Sequence, residues 1–507
     1  MSAGRSRYQL TSAVLMVSVG SFSLLQSLVV PVLGQLERDF DTSQTTVTWV
    51  LTAYLLSASV CTPLLGRLGD VAGKKRMLVL TLVALSVGSL MAALSGSIGW
   101  LIVARTVQGA GGGVLPLSFG IIRDEFPRDK VNSGLSVVAS LAAVGFGIGI
   151  VAAGPIVEAL SYHWLFWIPM VTTALAALGA VTLVPESPVR TEGRIPLLPA
   201  ALLSAWLLAL LLGLSQGNHW GWGSVGVLTL FSGTVFLAVA WIVVETGVSV
   251  PLIDMEMMRR RGVWTANAVA GFVGFGVYAS FGFLPQFLQT PSEAGYGFSA
   301  TLTESGHLLL PSAVASFLMG FMTARFVRRF GTRVVVISGT LSGAAAFASI
   351  ALWHDATWQV FAATTFQGIG SGLVFSSLAG AVIAAVPPDQ TGVASGMNAN
   401  IRTIGGSVGS AVMAGVVTAR LGPTAVPVES GYVIGFVVLA AGMVLAAAAA
   451  AFMPDTRDQP ARDALEDANN ASLAMVPGGP ALMERRAEMR TRLGKNTVAT
   501  SSPAADR

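Results

Sequence analysis

Residues 66–76 read Gly66-Arg67-Leu68-Gly69-Asp70-Val71-Ala72-Gly73-Lys74-Lys75-Arg76. The segment places one carboxylate among four cations and lies between two strongly apolar stretches, so we expect a glycine-rich loop at one face of a membrane. A weaker copy follows about half a chain later, around Arg325 to Arg333. The repetition predicts a two-fold membrane protein rather than a soluble enzyme.

The composition is typical of a membrane protein. Of 507 residues, 53% are hydrophobic and only 11% are charged, whereas soluble domains carry roughly 25% charged residues. A membrane-spanning helix needs about 20 predominantly apolar residues, and long continuous runs favour helices over the alternating strands of a barrel. The fourteen candidate spans are 11–34, 47–65, 77–96, 99–122, 132–157, 164–184, 197–215, 225–244, 263–287, 303–324, 334–352, 358–385, 392–418 and 431–453.

Basic residues divide unevenly between the two sets of loops. If the fourteen spans alternate, loops on the N-terminal side hold eighteen lysines and arginines before the C-terminal tail, and the opposite loops hold Arg38 and Arg420. Cytoplasmic loops carry such an excess. We therefore expect a multi-pass protein of the plasma membrane with both termini in the cytoplasm. The net charge of +4 is then explained by the basic cytoplasmic loops, and we expect no nucleic-acid partner.

Reactive and metal-binding residue types are scarce. Cys61 is the single cysteine, which excludes an internal disulfide framework and a cysteine metal cluster. The four histidines are scattered at span ends, and the sequence contains no phosphate-binding loop and no serine–histidine arrangement. We expect a protein that is not an enzyme, with no cofactor and no metal site.

Glycine-rich motifs recur at a nearly constant spacing. Residues 108–113 reappear at 367–372, which is 259 residues later. Gly73 precedes Gly331 by 258 residues, and Gly145 precedes Gly405 by 260 residues. The three spacings thus agree within two residues. This agreement indicates an internal duplication. The predicted layout is a cytoplasmic N-terminus (1–10), a six-helix bundle (11–185), a linker with two extra spans (186–262), a second six-helix bundle (263–453) and a polar cytoplasmic tail (454–507), within which 481–493 is either an amphipathic surface helix or solvated.

Further motifs follow each other in a specific order. They are the Gly66–Arg76 segment, Arg105-Thr106-Val107-Gln108-Gly109, Gly145 with Gly154-Pro155, Pro251-Leu252-Ile253-Asp254, Glu304-Ser305-Gly306 through Pro311, and Asn398 to Arg402 with Gly405-Gly406. In this order and on this topology, residues 10–453 resemble the major facilitator superfamily, specifically its fourteen-span drug:proton antiporter family. The resemblance implies an all-α membrane fold, with two six-helix bundles, two inserted helices and 14 transmembrane helices.

The resemblance also implies a function. It predicts a proton-driven secondary active exporter of amphipathic drugs or antibiotics that works by alternating access. Its partners would be membrane lipid, a small amphipathic substrate and protons, and the chain would be monomeric. The alternatives are a narrow exporter of one natural product or metabolite, including an uncharged one, and a sensor or scaffold that does not transport.

The resemblance assigns roles to two glycine-rich segments. It implies that a conformational latch is formed by Gly66, Asp70, Gly73, Lys74, Lys75 and Arg76. From the residues alone, Asp70 can pair with nearby cations or with the positive N-terminus of a neighbouring helix, and the competing interpretation is a solvated basic loop. The resemblance also implies an exporter motif, formed by Gly145, Gly149, Gly154 and Pro155. Ordinary packing of small residues is the alternative there.

Two arginines lie within apolar spans, Arg105 and Arg402. An arginine inside a membrane costs about 2–3 kcal/mol even on the gentler scales, so each is expected to face a cavity and a partner. The resemblance implies that Arg105 couples proton movement to transport. The competing interpretation of Arg105 is a structural arginine bonded to carbonyl groups. For Arg402, a role in packing its span is nearly as well supported as a role in transport.

The chain departs from the family pattern in its first span. Members of the family usually carry an aspartate there, but no acid lies between residues 8 and 36. A preference for cationic drugs is therefore in doubt, and the proton-coupling carboxylate must lie elsewhere. Glu158 and Glu304 are candidates near the outer face, and Asp70 and Glu245 near the inner one. We hypothesise that Glu158 pairs with Arg105. The alternative is that Glu158 is a solvated glutamate in a loop.

Polar and aromatic residues within the spans are candidates for a substrate cavity. They are chosen by chemistry and position along the spans. The candidates are Phe22, Gln26, Tyr54, Gln108, Tyr278, Phe281, Gln286 and Arg402, with Phe272 as a further aromatic group.

Overall fold

The computed structural model describes residues 2–187, 196–248, 251–387, 390–419 and 427–454. The first half contains α1 (Ser2–Leu28), α2 (Leu33–Asp39), α3 (Gln44–Ala72), α4 (Lys74–Ala93), α5 (Ile98–Gln108), α6 (Val114–Glu125), α7 (Arg128–Ala159) and α8 (Trp164–Leu183). Next come α9 (Leu197–Trp220) and α10 (Val225–Gly247). The rest comprises α11 (Met255–Arg259), α12 (Arg261–Gln289), α13 (Leu302–Phe330), α14 (Thr332–Leu352), α15 (Thr357–Ala384), α16 (Thr391–Thr418) and α17 (Glu429–Ala451). The tail segment 481–493 lies outside the described residues.

The described helices account for the fourteen predicted spans. Thirteen helices in the described ranges are long and apolar enough to cross a membrane. The remaining span, 99–122, is present in two pieces, because α5 and α6 are separated by a 3-10 turn over Gly109–Gly113. Helix α6 ends beside Lys74 at the start of α4, through the ion pair of Lys74 with Asp124. The two pieces together therefore make one crossing.

Glycine explains the break in this span. A Cβ atom on Gly112 would lie 2.9 Å from the carbonyl oxygen of Ala58, and one on Gly113 would lie 2.8 Å from Cβ of Leu65. The backbone thus lies directly against α3, and glycine is a weak helix former. The related run at 367–372 packs just as closely on α13 through Gly368 and Gly372 but remains helical within α15. It has three separated glycines where 108–113 has four, three of them consecutive, so the density of glycine distinguishes the broken span.

Contacts at the two ends of the helices agree with the alternating direction of the spans. At the end that carries Asp70, here called the Asp70 end, Arg333 Nε donates to the carbonyl oxygen of Met453 over 2.8 Å. At the opposite end, the Tyr162 hydroxyl donates to the carbonyl oxygen of Ser95 over 3.3 Å. Each contact joins connections that the alternation of fourteen spans places on one face.

The predicted duplication is visible in the helix contacts. A Cβ atom on Gly145 of α7 would lie 2.9 Å from the carbonyl oxygen of Gly20 in α1. A Cβ atom on Gly405 of α16 would meet the carbonyl oxygen of Gly271 in α12. The same relation recurs four residues later on each helix. The pair α1 and α7 and the pair α12 and α16, which the sequence repeat relates, thus make equivalent backbone contacts.

Two further helix pairs join the first half to the second. Helix α7 packs along α13, and α3 packs along α16. A Cβ atom on Gly320 of α13 would meet the side chain of Ser140, and one on Gly66 of α3 would lie 2.5 Å from the carbonyl oxygen of Gly392. Helices α9 and α10 pack on each other, and α9 also contacts both α3 and α16. The close approach of these helices requires small residues.

Substituting Gly405 with alanine tests this packing. The new methyl group would collide with the backbone of Gly271, and overpacking of this kind costs about 1–3 kcal/mol. We expect a lower melting temperature of the purified protein in detergent, measured by fluorescence-detected size exclusion after heating.

Gly415→Ala is the matched control, because a Cβ atom there meets nothing within 4 Å and alanine favours a helix over glycine. Equal melting temperatures for the two variants would contradict the packing described for α12 and α16.

Candidate functional site

The segment 66–76 is helical rather than the predicted loop. Helix α3 continues to Ala72, and α4 starts at Lys74. The turn consists of Gly73 alone, whose φ of 111° lies in a region that glycine adopts readily and other residues avoid. The helical extension moves Asp70 from an exposed loop to a fully buried position on the last turn of α3.

Asp70 binds the start of a helix from the second half. Its carboxylate oxygens accept from the backbone N–H groups of Gly392, over 3.4 Å, and Val393, over 3.2 Å. Both groups lie in the first turn of α16, where unpaired N–H groups and the helix dipole favour a negative charge. The close apposition of Gly66 and Gly392 brings the two backbones near enough for this contact.

Lys74 compensates the buried charge of Asp70. Its Nζ lies 3.6 Å from Asp70 Oδ1 and 2.7 Å from Asp124 Oδ2. Asp124 also accepts from the hydroxyl of Ser187. All three charged side chains are buried, and a buried ion that lacks a partner is strongly destabilising. Lys74 therefore stabilises the arrangement from within the first half.

Lys75 and Arg76 make different contacts from Lys74. The backbone N–H of Lys75 donates to Glu186 Oε1 over 3.1 Å, and Arg76 Nε lies 3.7 Å from Glu186 Oε2. The Arg76 side chain is 68% exposed. The structure thus divides the predicted latch residues. Asp70 and Gly66 touch the second half, whereas Lys75 and Arg76 contact Glu186, which follows α8.

A second contact between the halves was not predicted. Arg123 of α6 donates from Nη2 to the carbonyl oxygen of Val386 over 2.8 Å, and from Nη1 to Thr391 Oγ1 over 2.6 Å. Sequence reasoning counted Arg123 only as a basic loop residue. The sequence carries no signal for this contact, because it depends on Lys74 and Asp70 bringing this end of α6 close to α16.

Arg105 is fully buried and bonded within the first half. Its Nε donates to the carbonyl oxygen of Val50 over 3.1 Å, and its Nη1 to Gln108 Oε1 over 2.7 Å. The guanidinium also lies 4.2 Å above the ring of Tyr54. In the second half the equivalent of Arg105 is Thr364, whose hydroxyl donates to the carbonyl oxygen of Leu308 over 3.1 Å.

The predicted pairing of Glu158 with Arg105 is wrong. The partners of Arg105 are Val50, Gln108 and Tyr54, and Glu158 is exposed near the end of α7.

The remaining acidic candidates lie at helix ends. Glu304 is exposed, and its Oε2 accepts from the backbone N–H of Thr301 in a capping box that starts α13. Glu245 is 2% exposed, and its Oε1 accepts from the backbone N–H of Ile253 over 2.7 Å. Nearby, Arg67 Nη2 donates to the carbonyl oxygen of Pro251 over 3.3 Å. Glu245 therefore stabilises the connection that follows α10.

The predicted exporter motif packs on two sides of α7. Gly145 and Gly149 face α1, whereas a Cβ atom on Gly154 would lie 2.7 Å from Thr303 Oγ1 of α13. Pro155 lies inside the helix, which continues to Ala159. The glycines thus allow close packing within the first half and across to the second half.

A cavity lies between the two halves, and four of the predicted residues line it. They are Gln26 of α1, Tyr278 and Phe281 of α12, and Arg402 of α16. The lining also includes side chains that sequence reasoning did not select as cavity residues, namely Phe146, Phe375, Ser316, Ser371, Ser395 and Asn398. These lie on α7, α13, α15 and α16, and their helical faces could not be assigned from the sequence alone.

The other cavity candidates are placed elsewhere. Phe22 is buried in the core of the first half, where a Cβ atom on Gly111 would lie 2.9 Å from its ring. Tyr54 is covered by Arg105, and Gln108 bonds Arg105 and, over 3.1 Å, Ser89 Oγ. Gln286 and Phe272 are exposed on the outside of α12. These corrections reflect helix rotation, which depth along a span does not determine.

The chain is similar to known transporters over most of its length. The family model described as Major Facilitator Superfamily matches residues 15–410 and 268–492. The "Multidrug transporter protein MdtP" of Bacillus subtilis is 27% identical over 74% of this chain and 69% of the relative. The "Tetracenomycin C resistance and export protein" of Streptomyces glaucescens is 26% identical over 81% of this chain and 76% of the relative.

A solved structure shows the same fold. The human organic anion transporter MFSD10 (TETRAN) superimposes with a TM-score of 0.63, covering 88% of this chain and 99% of that chain at 17% sequence identity. With a family model that matches most of the sequence, the resemblance seen in the motifs is confirmed. The chain is a multi-pass membrane protein and belongs to the Major Facilitator Superfamily, whose members are transporters and not enzymes.

Proposed function

We propose that this protein is a proton-driven secondary active exporter of small amphipathic compounds, and that it works by alternating access. The observation that carries the proposal is a cavity between two related halves whose contact at one end includes a buried carboxylate, Asp70. The names of its relatives, a multidrug transporter and a tetracenomycin C export protein, support export as the direction.

The proposal includes an arrangement in the membrane. Residues 11–185 and 263–453 form the two moving six-helix bundles, and 186–262 form the linker with two inserted helices. The Asp70 end faces the cytoplasm of a cell bounded by the plasma membrane, because basic residues concentrate there. Both termini (1–10 and the tail 454–507) are then cytoplasmic. The transporter acts as a monomer.

Asp70 and Arg123 hold the cytoplasmic seam closed in the described conformation. Both bind the region where α15 ends and α16 begins. Opening toward the cytoplasm requires both contacts to break, and protonation of Asp70 removes the charge that binds the α16 terminus. We therefore assign coupling to Asp70 rather than to Glu158, which is exposed, or Glu304, which caps a helix.

Arg105 has a supporting role in this proposal. Its bonds to Val50 and Gln108 fix α3 against α5, and its positive charge has no equivalent at Thr364. Each charge that crosses 100 mV supplies about 2.3 kcal/mol, which corresponds to roughly fifty-fold accumulation. One proton per cycle is therefore sufficient for substantial export.

A narrow exporter of one natural product is the second candidate. Two observations favour it, namely the name of the Streptomyces relative and the lack of a carboxylate among the described residues that line the cavity. Cationic drugs, which would gain from a carboxylate, are then poor substrates.

Transport by proteoliposomes with an imposed pH gradient tests the proposal. A panel of cationic, neutral and anionic amphipathic fluorophores should include compounds that accumulate, and an ionophore that collapses the gradient should abolish accumulation. Asp70→Asn should reduce the rate about tenfold or more, which corresponds to about 1.4 kcal/mol. Glu158→Gln is the matched carboxyl-to-amide control and should leave the rate unchanged, because Glu158 is exposed. No movement of any panel member would indicate a sensor or scaffold.

Thermal stability of three variants tests the charge network beneath the latch. Lys74→Met leaves Asp70 and Asp124 buried without their shared cation, and removing one partner of a buried ion pair costs about 3–5 kcal/mol. Asp70→Asn keeps the pair of Lys74 with Asp124 and should cost less, up to about 2 kcal/mol. Lys75→Met is the control, since Lys75 bonds Glu186 through its backbone. Melting curves that rank Asp70→Asn below Lys74→Met in stability would be inconsistent with the network.

A further inference from the structure

The two arginines within the spans have different surroundings. Arg105 is fully buried and donates two hydrogen bonds, and its Nη2 is buried without a hydrogen-bond partner. Arg402 lines the cavity, and its Nε is buried without a hydrogen-bond partner. Its guanidinium lies 5.0 Å from the ring centre of Phe375. Both guanidinium groups therefore keep an unused donor, but Arg105 is enclosed by its own helix bundle, whereas Arg402 lies at the cavity, where a ligand can reach it.

Arg402 has no acidic counterpart among the described residues that line the cavity. It is the one charged residue of that lining, and the others are small, aliphatic, aromatic, hydroxyl or amide side chains. A cation at such a depth is costly unless an anion or several dipoles compensate it. A guanidinium is a planar donor that binds carboxylates in a bidentate manner, so a bound anion would supply the missing partner.

One wall of the cavity is aromatic. Phe146 and Phe281 have ring centres 4.6 Å apart, and Phe146 and Tyr278 are stacked at 6.1 Å with planes 12° apart. All three rings line the cavity. Aromatic rings bind other rings through offset stacking and apolar contact, so this wall favours a planar aromatic group.

Two hydroxyl groups of the cavity lining have unused donors. Ser316 and Ser395 line the cavity, are 2% and 7% exposed, and have side-chain oxygens without hydrogen-bond partners. A buried polar group without a partner is costly. A ligand with acceptor oxygens would satisfy these groups together with Arg402.

We propose that the cavity binds planar aromatic anions, with the carboxylate or a similar delocalised anion on Arg402 and the ring system on Phe146, Tyr278 and Phe281. This assignment rests on the proposed function in one respect, namely that the cavity is the transport site. A cavity that binds anions in this way would disfavour cationic drugs.

Equilibrium binding to the purified protein tests the assignment without any gradient. Three probes share one ring system and differ in charge: pyrenebutyrate, its methyl ester and pyrenebutylamine. The wild type should bind pyrenebutyrate at least about tenfold more tightly than either of the others at neutral pH, as one good charge-assisted contact is worth about 1.4 kcal/mol or more. Binding is read from the change in pyrene fluorescence.

Substitutions of Arg402 separate charge recognition from folding. Arg402→Gln should weaken pyrenebutyrate about tenfold and leave the ester unchanged, and Arg402→Glu should reverse the preference toward pyrenebutylamine. Arg328→Gln is the matched control, since Arg328 is an exposed arginine at the end of α13, and it should leave all three affinities unchanged. Melting temperatures establish that each variant is folded.

Two results would overturn the assignment. One is equal binding of the three probes by the wild type, a comparison that needs no variant to fold. The other is an equal loss of all three probes in Arg402→Gln, which would indicate a structural arginine. Because these measurements use no proton gradient, a failure of proton-driven transport would leave the charge preference intact, and the reverse also holds.

Discussion

The contact between Asp70 and the first turn of α16 is the interaction on which the arrangement of the two halves depends. It places a buried negative charge on free N–H groups at a helix N-terminus, where the helix dipole favours it. The contact needs Gly66 and Gly392, whose backbones nearly touch. It also needs Lys74 as a buried cation. The Asp70 carboxylate thus depends both on a residue four positions away in sequence and on packing against the second half.

The sequence predicted most of the fold because length and hydropathy determine spans. Thirteen of the fourteen spans are continuous helices, and the duplication read from glycine motifs reappears as equivalent contacts of Gly145 and Gly405. The broken span was not predicted, because hydropathy registers a continuous apolar run, whereas the turn at Gly109–Gly113 follows from its dense glycines. The supposed loop at 66–76 was also wrong, because only Gly73 has a backbone conformation that ends a helix.

The candidate site was only partly predictable, because sequence gives depth along a helix more readily than rotation about it. Tyr278 and Phe281 are three residues apart, share a helix face and both line the cavity. Gln286 lies further along the same helix and is exposed. Glu158 was paired with Arg105 from depth alone, but Arg105 bonds to Val50 and Gln108 instead.

The most direct test of the central claim measures whether the Asp70 contact holds the two halves together at that end. Spin labels replace Arg76 of the first half and Arg328 of the second, in a Cys61→Ser background, and their distance is measured by pulsed electron resonance in nanodiscs. The account predicts a single short distance population that acquires a longer one in Asp70→Asn. Identical distance distributions with and without the Asp70 charge would contradict it.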